Sequence, residues 1–284
     1  LLVIALPSCS SAPPPAPRPV ATPVEEDTWQ EGPSKLPEEA PRSGGSPENG
    51  WLVGGRPWKD SPVARRPASR GSAAYGVPEL IDVVQRAAGK VAKDFPRSVL
   101  IVGDLSGREG GPIHGHNSHQ NGRDIDLGFY ILDEEQRFTT SEVFVHFDSR
   151  GKHFGDRTLQ FDDLRNWALV QALLTDEQVE VRTIFIAAWL RDRLLRTAME
   201  FGASKELLNR ASGLLIQPPN SPPHDDHFHV RISCPAAHKP SCVDHSFGIP
   251  KGLVSSGLAP AILRPGPPDG AFAWAPPGAL NPLR

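Results

Sequence analysis

Apolar positions recur at helical spacing along several stretches in the middle of the chain. From Pro78 to Phe95 the residues Leu80, Val84, Ala87, Val91 and Phe95 fall on one stripe, and Pro78 stands in the first turn, where its missing N–H is no loss. This predicts an amphipathic helix. Phe161 to Leu174 and Trp189 to Phe201 carry similar stripes, and Lys205 to Leu215 predicts a further helix. Val99 to Val102 is a short apolar run closed by Gly103, which predicts a buried strand leading into the Gly-rich loop Gly107 to Gly115. Between Asp124 and Leu132, Ile125, Leu127, Phe129 and Ile131 alternate with Asp124, Asp126, Gly128 and Tyr130. That period of two belongs to a half-buried strand and turns Asp126 to its polar side. A strand is predicted over Thr183 to Ala187. The last spans His227 to Ser233, where His227, His229 and Arg231 share one face and Phe228, Val230 and Ile232 the other. Helices and strands intersperse without a βαβ rhythm, so the expected fold class is α+β, with helices packed on a small, mainly antiparallel sheet.

The pattern stops at both ends. Proline supplies 31 of 284 residues, roughly twice the usual share, and the excess is terminal. Residues 10–45 are rich in Pro, Ala, Ser, Gly and Glu without periodic apolar positions, and read as a tether that cannot bury enough surface to order itself. Residues 249–284 read as a Pro-rich tail, which leaves 46–248 as the packed domain. Over residues 1–9, the apolar run Leu1 to Leu6 is too short to span a bilayer. With small residues and Cys9 after it, the run resembles the end of a bacterial lipoprotein signal, with Cys9 as the lipid-bearing residue. The alternative is an ordinary signal with an incidental cysteine. Both imply export to the periplasm, with membrane contact only through the lipid. A net charge of -3 supplies no basic field for nucleic acid or an anionic membrane surface. Cys234 and Cys242, eight positions apart in a loop-like stretch, would form a disulfide in an exported protein. Ligation of zinc by this pair is the alternative, for which the nearby histidines make a better site.

Two short windows concentrate the chemistry: His116-Asn-Ser-His119-Gln-Asn-Gly-Arg-Asp124-Ile-Asp126 and His224-Asp-Asp-His227-Phe-His229. A loop histidine followed seven positions later by a strand aspartate can converge with a histidine from a neighbouring strand. His119, Asp126 and His229 would then offer two neutral nitrogens and one anionic oxygen, a set suited to a single Zn²⁺ with one position open. Hydrolysis also needs a group that moves a proton from water to the leaving amine. His227, on the same strand face as His229, is the candidate, with His224 and His116 as helpers that hold a carbonyl or orient a ligand. Asp124 reads as an exposed or supporting carboxylate, Asp225 and Asp226 as loop solvation, and Arg123 as a cation for a substrate carboxylate or, equally, a solvated arginine.

The run Ser118-His119-Gln120-x-Gly122-x-Asp124-x-Asp126, with His116 upstream and the His224, His227, His229 series followed by Val-Arg-Ile-Ser-Cys-Pro, resembles the penicillin-insensitive murein endopeptidases. These belong to a wider group of zinc peptidases that includes D-Ala-D-Ala dipeptidases and the amino-terminal domain of hedgehog proteins. The resemblance implies zinc on His119, Asp126 and His229, and cleavage of D-alanyl-meso-diaminopimelate cross-links in peptidoglycan by a route that β-lactams do not block. It also associates His116 and an Asp-Gly-Lys-His segment with a further metal contact. Here that segment reads Arg150-Gly151-Lys152-His153, so His153 is retained while arginine replaces the carboxylate. That departure favours one metal over two. The competing readings are a D,D-carboxypeptidase or dipeptidase acting on free stem peptides, and a non-catalytic wall-binding lipoprotein that keeps zinc for folding.

Overall fold

The computed structural model describes residues 40–155, 157–218 and 221–244, so Cys9, the signal-like run and nearly all of the tether and tail lie outside the described residues. The chain enters through a hairpin, β1 (Arg42–Ser46) with β2 (Asn49–Val53). Its first strand starts inside the stretch that composition assigns to the tether. The sequence Arg-Ser-Gly-Gly-Ser has no apolar signal, but Gly44 lies under the Trp51 ring, where a Cβ would be 2.1 Å from the indole carbons. Gly45 also donates to the carbonyl of Ser241, at 2.7 Å. Three two-residue strands follow, β3 (Arg56–Pro57), β4 (Ala64–Arg65) and β5 (Tyr75–Gly76).

Helix α1 (Pro78–Asp94) buries Leu80, Ile81, Val83, Val84, Ala87, Ala88 and Val91, so its apolar stripe is the inner face. It packs on α2 (Asp163–Leu174), whose N-cap Asp162 accepts from the Arg165 N–H at 3.1 Å. Helices α3 (Ala188–Glu200) and α4 (Lys205–Leu214) complete the helical layer, α4 beginning at the Ser204 cap. The strand expected over Asp124 to Leu132 divides into β7 (Asp124–Gly128) and β8 (Ile131–Leu132), after the short β6 (Leu100–Ile101). β8 lies between β9 (Phe138–Thr139) and β10 (Gln160–Phe161) in a three-stranded sheet.

The principal sheet has four strands in the order β12 (Leu215–Ile216), β11 (Val181–Phe185), β13 (His227–Ile232), β7. The β12–β11 pair is parallel and the other two pairs are antiparallel, giving the α+β class with a mainly antiparallel sheet. Phe228, Val230 and Ile232 point into the core on one face of β13, as the alternation requires. The half-buried expectation for β7 needs correction. All five of its residues are buried, because the polar face is covered by a second, charged interior. No helix among the described residues is long and apolar enough to cross a membrane.

Candidate metal centre

Antiparallel register assembles the site. β13 pairs with β7 so that His229 stands opposite Asp126, Arg231 opposite Asp124, and His227 opposite Gly128. Directly opposed residues on one face lie within side-chain reach, so a one-residue slip would turn every one of these groups to the other face. Arg231 grips Asp124 through two bonds, Nε to Oδ1 at 2.7 Å and Nη2 to Oδ2 at 2.9 Å. Asp124 is therefore buried and ionised. Burial pushes its carboxyl up, but Arg231 and His229 outweigh this and hold it well below the usual range.

His119 arrives from the preceding loop with a positive φ of 66°, a backbone state that side chains other than glycine adopt at some cost. The surroundings over-determine it. Its N–H donates to Asp124 Oδ2 at 3.1 Å, its carbonyl accepts from the Ser106 hydroxyl, and its Nδ1 lies 2.9 Å from the Leu105 carbonyl. With Nδ1–H donated to that carbonyl, the Nε2 lone pair faces Asp126.

Asp126 Oδ1 is the hub. It lies 3.2 Å from His119 Nε2, 3.5 Å from His229 Nδ1 and 3.5 Å from His227 Nε2. Ligands about 2.0–2.1 Å from a tetrahedral zinc sit roughly 3.3 Å from one another, and the 3.2 and 3.5 Å separations of His119 Nε2 and His229 Nδ1 from Asp126 Oδ1 are of that size. His119 Nε2 and Asp126 Oδ1 are buried without a hydrogen-bond partner, two orphaned atoms that a cation would satisfy. His229 Nε2 has Asp124 Oδ2 at 3.5 Å, which leaves Nδ1 as the nitrogen turned toward Asp126. The electrostatics agree. Burial raises the Asp126 carboxyl, yet His119, His227 and His229 pull it far below the usual carboxylate range. Burial lowers His119, yet Asp126 more than compensates and raises it, so the cluster draws positive charge.

The remaining candidates divide. His116, His119 and Asp126 form one group in which each presents an atom within 4.8 Å of the others, with His116 Nδ1 3.9 Å from Asp126 Oδ2, and His229 is tied to that group through Asp126 at 3.5 Å. Its Nε2 is held by Asp104 Oδ2 at 3.2 Å. His224 and His227 have ring centres 5.1 Å apart. Burial, with His227 and His229 nearby, pushes His224 down to about 4, so it is neutral at physiological pH. His153 joins neither of the His-carboxylate groups found among the described residues. It packs against Phe147 at 6.4 Å, while Asp148 caps the Arg150 and Lys152 N–H groups and pairs with Arg157.

Two readings of single residues change. Arg123 is not available to a substrate carboxylate. It is fully buried, with Asp244 Oδ1 at 2.7 Å and the carbonyls of Ile232 and Val243 at 3.0 and 2.9 Å. Asp244 follows the bonded pair Cys234–Cys242, so Arg123 ties that strap to the sheet. Arg123→Met is expected to lower unfolding free energy by about 3–5 kcal/mol, the cost of leaving one partner of a buried pair alone, while KM of the folded protein stays unchanged. Urea titration and steady-state kinetics check the two halves.

Asp226 is not loop solvation either. Its Oδ1 accepts from His227 Nδ1 at 2.6 Å, and the same loop forms a second group in which His146 Nδ1 lies 2.7 Å from Asp225 Oδ1. No sequence motif marks His146, and only the fold brings it there.

A family model described as penicillin-insensitive murein endopeptidase matches residues 45–252. The chain is 30% identical over 227 residues to a penicillin-insensitive murein endopeptidase of Haemophilus influenzae, covering 76% of this chain and 72% of that relative. A protein of the same name from Klebsiella pneumoniae is 28% identical over 169 residues, or 57% of this chain and 55% of the relative. One from Escherichia coli is 26% identical over 168 residues, with the same coverage.

Proposed function

From the premise that this chain belongs to the penicillin-insensitive murein endopeptidase family, we propose that it is a zinc endopeptidase that cuts D-alanyl-meso-diaminopimelate cross-links of peptidoglycan. The observation that carries the reading is the convergence of His119, His229 and His227 on one buried carboxylate oxygen, Asp126 Oδ1. His119, Asp126 and His229 would hold the ion. When bound, zinc supplies a Lewis acid that polarises the scissile carbonyl and makes water a stronger acid.

The chain's own residues handle the protons. His227, oriented by the Asp226 carboxylate at its Nδ1, keeps Nε2 on the cluster side. There it takes a proton from the attacking water and returns it to the nitrogen that leaves as the carbon–nitrogen bond breaks. His224, neutral and with a buried Nδ1 that has no hydrogen-bond partner, is suited to a hydrogen bond with the substrate carbonyl rather than to carrying charge. His116 and Asp104 support the Asp126 side. The substrate lies in the cell wall, so the enzyme works outside the cytoplasm, where the Cys234–Cys242 bond is also stable.

Elemental analysis should find about one zinc per chain, the stoichiometry expected of a three-ligand catalytic site. Digestion of cross-linked muropeptide dimers to monomers should stop on chelation and return with added zinc. Cleavage that persists in the stripped protein would refute the metal reading. Release of D-Ala from free pentapeptide with dimers left intact would replace the endopeptidase by a carboxypeptidase.

A further inference from the structure

Most cations around the cluster already have carboxylate partners. Arg66 holds Asp104, Arg65 pairs with Glu142, Arg123 with Asp244, and Arg231 with Asp124 and Glu48. Arg70 differs. Among the described residues no carboxylate pairs with it, and its guanidinium lies over the Phe144 ring, 4.0 Å from the centre. That ring in turn stacks on His227, with centres 4.9 Å apart and planes inclined by 24°. Arg70, Phe144 and His227 thus form one continuous pile ending at the proton-handling histidine.

The pile is built in rather than draped over the surface. Phe144 occupies space that two glycines leave clear: a Cβ on Gly103 would meet its Cζ at 2.5 Å, and one on Gly128, the residue opposite His227, its Cε1 at 3.1 Å. The loop carrying Arg70 is clasped by Arg66, whose guanidinium donates to the carbonyls of Gly103, Arg70, Gly71 and Ala73 as well as to Asp104. A guanidinium stacked by cation–π attraction keeps its edge donors free, and that planar fork matches a carboxylate.

We propose that Arg70 is a specificity-determining residue that binds the free carboxylate on the leaving side of the scissile bond. This rests on the endopeptidase reading above. In a D-alanyl-meso-diaminopimelate cross-link, the nitrogen to be released sits on a carbon that also bears a carboxylate. His227 delivers its proton to that nitrogen, so the carboxylate comes up beside His227, on the side where Phe144 presents Arg70. The carboxylates of Asp104, Asp126 and Asp226 would otherwise repel it, and Arg70 offsets them.

The test uses two synthetic cross-linked dimers, one with that carboxylate free and one with it amidated. Each is digested by the zinc-loaded full chain, by Arg70→Met and by Arg70→Lys. With the free carboxylate, Arg70→Met should raise KM roughly 10- to 100-fold while kcat changes only a few-fold. Arg70→Lys, which keeps the charge without the fork, should fall between the two. The amidated dimer should be a poorer substrate for the unaltered chain by a similar factor, and Arg70→Met should not worsen it further. Equal losses on both dimers would overturn the assignment, because mere support of Phe144 does not distinguish carboxylate from amide. No loss on either would overturn it too. If the unaltered chain cleaves neither dimer, the endopeptidase reading falls. If it cleaves both equally well, only the role of Arg70 falls.

Discussion

Asp126→Asn should abolish muropeptide hydrolysis, by at least about a thousandfold, and release the metal. The magnitude follows from position. Changing a group that merely orients a ligand costs metal affinity about 10- to 100-fold, and Asp126 is proposed as a ligand itself, the sole anion in the set. Asparagine matches its shape but brings no charge to offset a divalent cation, and its oxygen is a weaker donor. In the native cluster Oδ1 faces three imidazoles at 3.2–3.5 Å. With the carboxylate gone, His119 loses the charge that raises its affinity for a proton, and burial then drives it neutral. The fold should survive, because Asp126 makes its ladder bonds through the backbone, accepting from Gly103 and donating to Asp104. Unchanged circular dichroism with zinc content near zero is the expected pair of measurements. Full zinc occupancy with full activity would show that Asp126 is not a ligand.

The residues of this centre were legible in the sequence to different degrees, and the differences have physical causes. His119, Asp126 and His229 stand out because a seven-residue step from loop to strand, and alternation along a second strand, place their side chains by local geometry alone. What local geometry cannot supply is register. That His229 faces Asp126, and not its neighbour, is decided by the β13–β7 pairing. Arg123 misled for a related reason. Its neutralising partner Asp244 comes from 121 positions away, beyond the Cys234–Cys242 strap, so the sequence shows an uncommitted charge where the fold has a buried pair. Asp226 and His146 lie in irregular segments without periodicity, and Phe144 and Arg70 meet only because two glycines and the Arg66 clasp make room for them. The helices, whose stripes are long and local, match their predicted spans to within a residue or two.

His227→Ala should leave zinc in place while lowering kcat by about 10²–10⁴-fold, the range expected when a positioned proton carrier is lost. The two effects separate because His227, although 3.5 Å from Asp126 Oδ1, is neither of the histidines assigned to the metal. It stands opposite Gly128, two residues along the strand from His229, and its Nδ1 is bound to Asp226 rather than left open. Burial lowers His227, but Asp126 and Asp226 reverse the sign and raise it, so the ring readily accepts the proton that hydrolysis sets free. Removing the ring also removes the stacking partner of Phe144, so a displaced Arg70 should add a rise in KM to the loss of kcat. Phe144→Leu separates the causes: it abolishes the stack but keeps the imidazole, and should raise KM while sparing most of kcat. A His227→Ala protein that binds zinc and retains kcat within a few-fold would remove His227 from the proton path. The neutral His224, 5.1 Å away, would then be the remaining histidine for that task.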